Sequence, residues 1–169
     1  MSVDPRYLDR DGNSIDSPMT DYERETLNEL RVIFDRPYAV YKVKVGQRRD
    51  GFGWDPDFFV SKDRKAFMVI KLLGEDTTAE NLDSRMRDAF AIIASNWEGS
   101  RHGGDLASRS RAVIVPDHVL DEIGEEGSNK YHYIFEPFGC EVIGRKAIAE
   151  LELHRDKEDR ERHPIKWWN

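Results

Sequence analysis

Asp57 and Lys71 are the two residues whose types and spacing best fit chemistry on a phosphate. Lys71 lies in the apolar run 66–73 (AFMVIKLL), and Asp57 opens a shorter predicted strand before it. Because strand side chains alternate between faces, Lys71 shares a face with Val69 and needs a partner such as Asp57. Magnesium prefers oxygen ligands, so Asp57 would hold Mg²⁺ or Mn²⁺ while Lys71 orients or deprotonates the attacking water. Taken alone, the segment 55–57 (Asp-Pro-Asp) also fits a turn.

The elements that must position this pair follow from periodicity and capping signals. Two capping boxes, at 20–23 and 77–80, each announce a helix. Strands are predicted at 38–45, 57–60, 66–73 and 111–115, a short helix at 116–123, late strands at 131–135 and 141–143, and a last helix from about Lys146. The order α-β-β-β-α-β predicts an α/β fold with a mixed central sheet flanked by helices. In that sheet 57–60 and 66–73 form a hairpin, and 111–115 runs parallel to 66–73.

This layout resembles the PD-(D/E)XK, or restriction-endonuclease-like, nuclease superfamily. The run 22–115 looks most like the nuclease-related domain called NERD, which has an early helical Glu, a DxxV strand and an FVIxVK-like strand. The resemblance implies an αβββαβ nuclease core, with Asp57 as a metal ligand and Lys71 as a catalytic residue. It also implies a catalytic role for Glu23 on the first helix, although Glu23 equally fits the capping partner of Thr20.

One position departs from that family. Val69 stands two residues before Lys71, where the family has its second acidic residue, and valine cannot bind a metal. Some restriction enzymes of the superfamily carry this acid on the following helix. At ~100° per residue, Asp83 falls on the edge of the apolar face of that helix, so we expect Asp83 to be the second metal ligand and a catalytic residue. Glu75 and Asp76 are second choices.

Composition sets limits on partners and compartment. Charged residues make up 35% of the chain and the net charge is −7, which argues against tight, non-specific nucleic-acid binding without excluding a nucleic-acid enzyme. A lone cysteine, Cys140, allows no internal disulfide. No apolar run reaches the length of a membrane span, and the N-terminus has no secretory h-region. These features predict a cytoplasmic protein with no membrane association.

The remaining segments yield binding predictions. Residues 1–19 read as an extended or mobile arm, 20–144 as the nuclease-like domain, and 145–169 as a charged helix with a Trp-containing tail that could dock on a protein partner. The loop before the fourth strand is glycine-rich and carries groups that could contact phosphate, although an ordinary surface loop explains it nearly as well. Its candidate nucleic-acid-binding residues are Arg101, His102, Arg109 and Arg111.

Three functions are compatible with these patterns. The first is a magnesium-dependent nuclease that hydrolyses DNA phosphodiesters, with Glu23, Asp57, Lys71 and Asp83 as its site. The second is a catalytically inactive nuclease-fold scaffold that binds nucleic acid or protein. The third is a structural or assembly protein of a virus or a larger complex. The discriminating observation is whether Asp57 and Lys71 converge with a third acid around a gap fit for a metal.

Overall fold

The computed structural model describes residues 4–16, 18–42, 57–63, 65–98 and 110–155. They form a mixed five-stranded sheet with strand order β1-β2-β3-β4-β5. The strands are β1 (Tyr38–Lys42), β2 (Phe58–Lys62), β3 (Lys65–Leu72), β4 (Ser110–Val115) and β5 (Cys140–Gly144). The helices are α1 (Asp21–Ile33), α2 (Leu82–Glu98) and α3 (Asp117–Phe135), with short 3₁₀ segments at Pro5–Tyr7, Glu136–Phe138 and Arg145–His154.

The pairing confirms the predicted centre of the sheet. β2 and β3 form an antiparallel hairpin in which Phe58 lies opposite Ile70, and β1 adds an antiparallel edge. β4 then runs parallel to β3, and β5 runs parallel to β4. The chain order α1-β1-β2-β3-α2-β4 is therefore the predicted α-β-β-β-α-β order. Only the part of the first predicted strand up to Lys42 falls within the described residues.

The sheet is covered on both faces, as its apolar central strands require. On one face α1 and the segment Arg145–His154 pack against even-numbered residues of β3, including Met68 and Ile70. On the other face α2 and α3 pack against odd-numbered residues, including Val69. The strand alternation thus places Val69 in a core, where it is 2% exposed.

Helix α3 differs from the predicted short helix followed by a strand. The expected strand at 131–135 is wrong, because this segment continues α3 across a kink at Gly124, whose φ is 72°. Its aromatic, β-branched sequence favours a strand locally, but Tyr131 and Phe135 lie one helical turn apart and are both buried against α2. The consequence for the site is that α3 reaches the beginning of α2.

The helix starts follow local chemistry. Thr20 caps α1 by accepting a hydrogen bond from the Glu23 backbone, and the Glu23 side chain returns to the Thr20 backbone, as predicted. Before α2 the reciprocal bonds join Thr78 and Asn81 at 2.7 and 3.2 Å, so Asn81 rather than Glu80 is the capping partner.

Within residues 4–16, the segment predicted to be an extended or mobile arm is held against the domain. Tyr7 is 5% exposed, and its hydroxyl accepts a hydrogen bond of 3.0 Å from the backbone of Val40. Arg31 lies over the Tyr7 ring and forms an ion pair of 2.8 Å with Asp16. These contacts tie the segment to α1 and β1.

The end of the described chain is a 3₁₀ segment rather than the predicted helix from Lys146. His154 fastens it to the sheet, with Nδ1 3.0 Å from the Ser110 hydroxyl and Nε2 3.0 Å from the Glu141 carboxylate. The Trp-containing tail lies outside the described residues. Within the described ranges, no helix has both the length and the apolar character needed to cross a bilayer.

Candidate functional site

Asp57 and Lys71 meet at the end of the β2–β3 hairpin. The Asp57 backbone N–H donates to Ile70 at 3.0 Å, and its Oδ2 accepts the Leu72 N–H at 2.7 Å. Lys71 Nζ lies 3.1 Å from the same Oδ2, and the side chains of Asp57 and Lys71 are only 16% and 22% exposed. Strand pairing itself fixes this ion pair, so its geometry does not depend on two flexible surface side chains.

A second lysine joins the pair to α1. Lys42, at the end of β1, places Nζ 3.3 Å from Glu23 Oε2 and 3.6 Å from Asp57 Oδ1. Its side chain is 10% exposed, and its ammonium lies 5.8 Å from the centre of the Phe58 ring. We call the set Glu23, Lys42, Asp57 and Lys71 the lysine-bridged site.

Sequence reasoning missed Lys42, although the signal was present. Within the predicted strand, Lys42 shares a face with Val40, which is completely buried. A lysine on a buried strand face needs a carboxylate partner, which is the same physical requirement that singled out Lys71. Applied to both strands that neighbour β2, this requirement predicts two lysines converging on Asp57.

Glu23 is the capping partner of Thr20, as predicted, and it also forms an ion pair with Lys42, while its catalytic role stays a prediction. One oxygen, Oε1, accepts the Thr20 backbone N–H at 3.3 Å, while the other faces Lys42. Partial burial raises the pKa of Glu23, but the Thr20 hydrogen bonds and the Lys42 charge outweigh it, so the pKa lies below its ordinary value of 4.5. Glu23 is therefore ionised at neutral pH and balances the charge of Lys42.

The donor set at this site does not fit magnesium. Two carboxylates face two ammonium groups, and both Asp57 oxygens already have cationic or N–H partners. Lys42 lies between Glu23 and Asp57, where a shared cation would have to bind. Among the residues that the structure describes, no group of three or more His, Cys, Asp or Glu side chains is arranged to hold a metal ion.

The structure does not bring Asp83 to this site. Asp83 lies in the first turn of α2, where its carboxylate is 3.0 Å from Arg87, 3.5 Å from Lys130 and 3.3 Å from the Tyr131 hydroxyl. The last two partners belong to α3, whose length the sequence did not predict. Asp83 shares none of its partners with Asp57. Of the second choices, Asp76 pairs with Arg85 at 2.7 Å, and Glu75 is exposed.

A cavity of about 500 Å³ adjoins Lys71 between the end of β3 and α2. Its charged lining residues are Lys71, Arg85 and Asp88. Arg85 is held in place by its two hydrogen bonds of 2.7 Å to Asp76. Asp88, rather than Asp83, is thus the α2 carboxylate on the side of Lys71. It lies on the opposite flank of the apolar stripe from Asp83, which is why a search along one edge of that stripe missed it.

The predicted phosphate-contacting loop is described only at its end. Arg111 belongs to β4 and is 1% exposed; one guanidinium nitrogen lies 3.5 Å from the Phe138 carbonyl, and burial lowers its pKa. Strand alternation thus turns Arg111 into the interior, away from the surface on which the predicted contact with nucleic acid would be made. Arg101, His102 and Arg109 lie outside the described residues.

Comparison with protein-family models, with curated proteins and with solved structures finds no match for this chain. The function proposed below accordingly depends on the geometry of the lysine-bridged site and its adjoining cavity.

Proposed function

We propose that this chain is a nuclease-like domain that binds the phosphodiester backbone of nucleic acid at the lysine-bridged site without a metal ion. The observation that carries the proposal is the pairing of both site carboxylates with lysines. Such a site offers ammonium groups to a phosphate in place of an open metal position. The order α-β-β-β-α-β and the Asp57–Lys71 pair support descent from a restriction-endonuclease-like core.

The adjoining cavity supports the choice of a phosphate ligand. Lys71 and Arg85 supply cationic groups at its wall, and the Arg85 N–H groups that Asp76 does not use can donate to phosphate oxygens. Lys71 is partly exposed, so a ligand can reach its ammonium group while the Asp57 contact keeps it in place. The net charge of −7 opposes a polyanion at long range, and we expect binding to be weak and to weaken further with salt.

Magnesium-dependent hydrolysis of DNA is the second candidate. One observation favours it: the hairpin holds Asp57 and Lys71 together at 3.1 Å in the arrangement that the resemblance to nucleases implies. Two observations oppose it: Val69 is buried at the position of the second acid, and Asp83 pairs with Arg87 and Lys130 rather than with a residue of the site.

Binding is tested by fluorescence anisotropy with short labelled duplex DNA, single-stranded DNA and RNA in buffer containing EDTA. The wild type should bind at least one of these, and Lys71→Met should weaken binding about tenfold, since a hydrogen bond to a charged group contributes about 1.5 kcal/mol. Lys130→Met, which removes a lysine from the distant Asp83 pair, is the matched control and should bind as the wild type does.

The same labelled DNA and RNA, incubated with Mg²⁺ or Mn²⁺, distinguish the second candidate. Metal-dependent cleavage that Asp57→Ala abolishes would establish a nuclease and replace the proposed function. If the wild type neither binds nor cleaves any of these nucleic acids, the proposal fails, and a protein-binding or assembly role becomes the better interpretation.

A further inference from the structure

The structure assigns Lys42 a specific part in the lysine-bridged site: its ammonium group replaces a divalent metal as the cation shared by Glu23 and Asp57. This inference deepens the proposed function by explaining why that function would be independent of metal. It also makes a claim about the chain that can be tested with a metal ion alone, without any nucleic acid.

The position of the ammonium carries the inference. Lys42 Nζ lies within 3.6 Å of one carboxylate oxygen from α1 and one from the start of β2, two elements far apart in sequence. A metal bridging Glu23 and Asp57 would use these same oxygens at about 2.1 Å, the Mg–O distance. The ammonium and the metal therefore exclude one another, and the chain carries its own cation.

Burial makes this cation a fixed component. The Lys42 side chain is 10% exposed, and its ammonium lies beside the Phe58 ring. Removing Lys42 leaves Glu23 without its cation and leaves Asp57 with Lys71 alone, which is costly unless the carboxylates take up a proton or another cation. Glu23, whose pKa Lys42 helps to lower, would then share with Asp57 an unfilled cation position.

The inference predicts a gain of metal binding on loss of the lysine. Lys42→Met keeps an unbranched apolar stem against Phe58 and removes the ammonium. Titration with Mn²⁺, followed by the electron paramagnetic resonance signal of the free ion, should show one bound ion in Lys42→Met with at least about tenfold higher affinity than in the wild type. Mn²⁺ should also raise the melting temperature of this variant, because a ligand that binds only the folded state stabilises it.

Two variants locate the new site. Lys42→Met/Asp57→Asn should lose the acquired Mn²⁺ binding, because one of its two carboxylates is gone. Lys130→Met also removes one cation from a carboxylate, that of Asp83, but should gain no Mn²⁺ binding, because Asp83 remains paired with Arg87 and is well solvated.

Three results would overturn the inference: wild-type Mn²⁺ binding as tight as that of Lys42→Met, a folded Lys42→Met that binds no more Mn²⁺ than the wild type, or acquired binding that persists in the double variant. Lys42→Gln, which keeps a polar head group, gives the same test if Lys42→Met does not fold. None of these results depends on nucleic-acid binding, so the proposed function can fail while the assignment of Lys42 stands.

Discussion

Asp57 and Asp83 are two aspartates that the sequence predicts as ligands of one metal, and the structure gives them opposite surroundings. Asp57 is 16% exposed and joined to two lysines and a backbone N–H on adjacent strands. Asp83 is 47% exposed and pairs with Arg87 and Lys130, which are 81% and 61% exposed. Ion pairs between solvated, flexible side chains contribute little, whereas partners fixed by strand pairing keep their geometry at a smaller entropic cost.

The difference shows what makes a carboxylate a site residue in this fold. Both aspartates have cationic partners within 3.6 Å, so the presence of an ion pair does not separate them. The separating property is position: Asp57 lies at a sheet end where three strands and α1 converge, and Asp83 lies on a helix surface.

The largest effect is expected from Val69→Glu, the change that would place an acid at the position where the PD-(D/E)XK pattern has its second acidic residue. Val69 is 2% exposed and packs with α2 and α3, so the new carboxylate would be buried without a partner. We expect a loss of about 4 kcal/mol in the free energy of unfolding and no recovery of nuclease activity. Val32→Glu, at a position of α1 that is 57% exposed, is the matched control and should change stability by less than about 0.5 kcal/mol.

Chemical denaturation followed by circular dichroism measures both variants. A folded Val69→Glu protein that cleaves DNA with Mg²⁺ would contradict this prediction and would show that a carboxylate at residue 69 can serve the site from the buried face that it shares with Lys71.

An intermediate effect is expected from Asp57→Asn. The amide keeps the shape of the side chain and a hydrogen-bond acceptor for Leu72, but it leaves two lysines with one carboxylate. Breaking a fully buried pair costs about 3–5 kcal/mol, and partial exposure reduces the expected loss to about 2 kcal/mol. Asp83→Asn is the direct comparison and should change the free energy of unfolding far less, because its partners are solvated surface side chains. Equal losses in urea denaturation of the two variants would remove the distinction between the two regions.

The sequence predicts those parts of the fold and of the site that depend on contacts between residues close together along the chain. The capping box at Thr20 and the β2–β3 hairpin are local, and both are as predicted. The pairing of Asp57 with Lys71 follows from the hairpin once its register is known. These features required only nearest-neighbour geometry and the cost of an unpartnered lysine.

The errors have a common origin in tertiary packing. The segment 131–135 has strand-like composition but forms the end of α3, because its buried residues recur at helical spacing. The extended part of α3 contains Lys130 and Tyr131, which donate hydrogen bonds to Asp83. The sequence pattern around Asp83 does not predict these two partners, because they lie on another helix. Lys42 is the exception, because strand alternation places it on the buried face with Val40 and the same requirement for a carboxylate partner was applied only to Lys71.

The smallest effect concerns titration, and it separates the two regions by their response to salt. Desolvation raises the pKa of Glu23, but its hydrogen bonds with Thr20 and the charge of Lys42 bring that pKa below its ordinary value. Desolvation also raises the pKa of Asp83, and the charges of Arg87 and Lys130 bring it below its ordinary value as well. A carboxyl group whose pKa is depressed by folding contributes stability that is complete above its unfolded pKa and is lost as the pH falls through the folded one. For Glu23 this loss of stability begins as the pH falls below 4.5, the ordinary pKa of the group.

Added salt should move the pKa of Asp83 back toward its ordinary value and leave that of Glu23 nearly unchanged, because solvated charges are screened and enclosed ones are not. Carboxyl chemical shifts followed by nuclear magnetic resonance at low and high salt measure both groups in one sample. If the pKa of Glu23 is as salt-sensitive as that of Asp83, then Lys42 is a solvated surface lysine, and the lysine-bridged site loses the enclosure on which its fixed geometry depends.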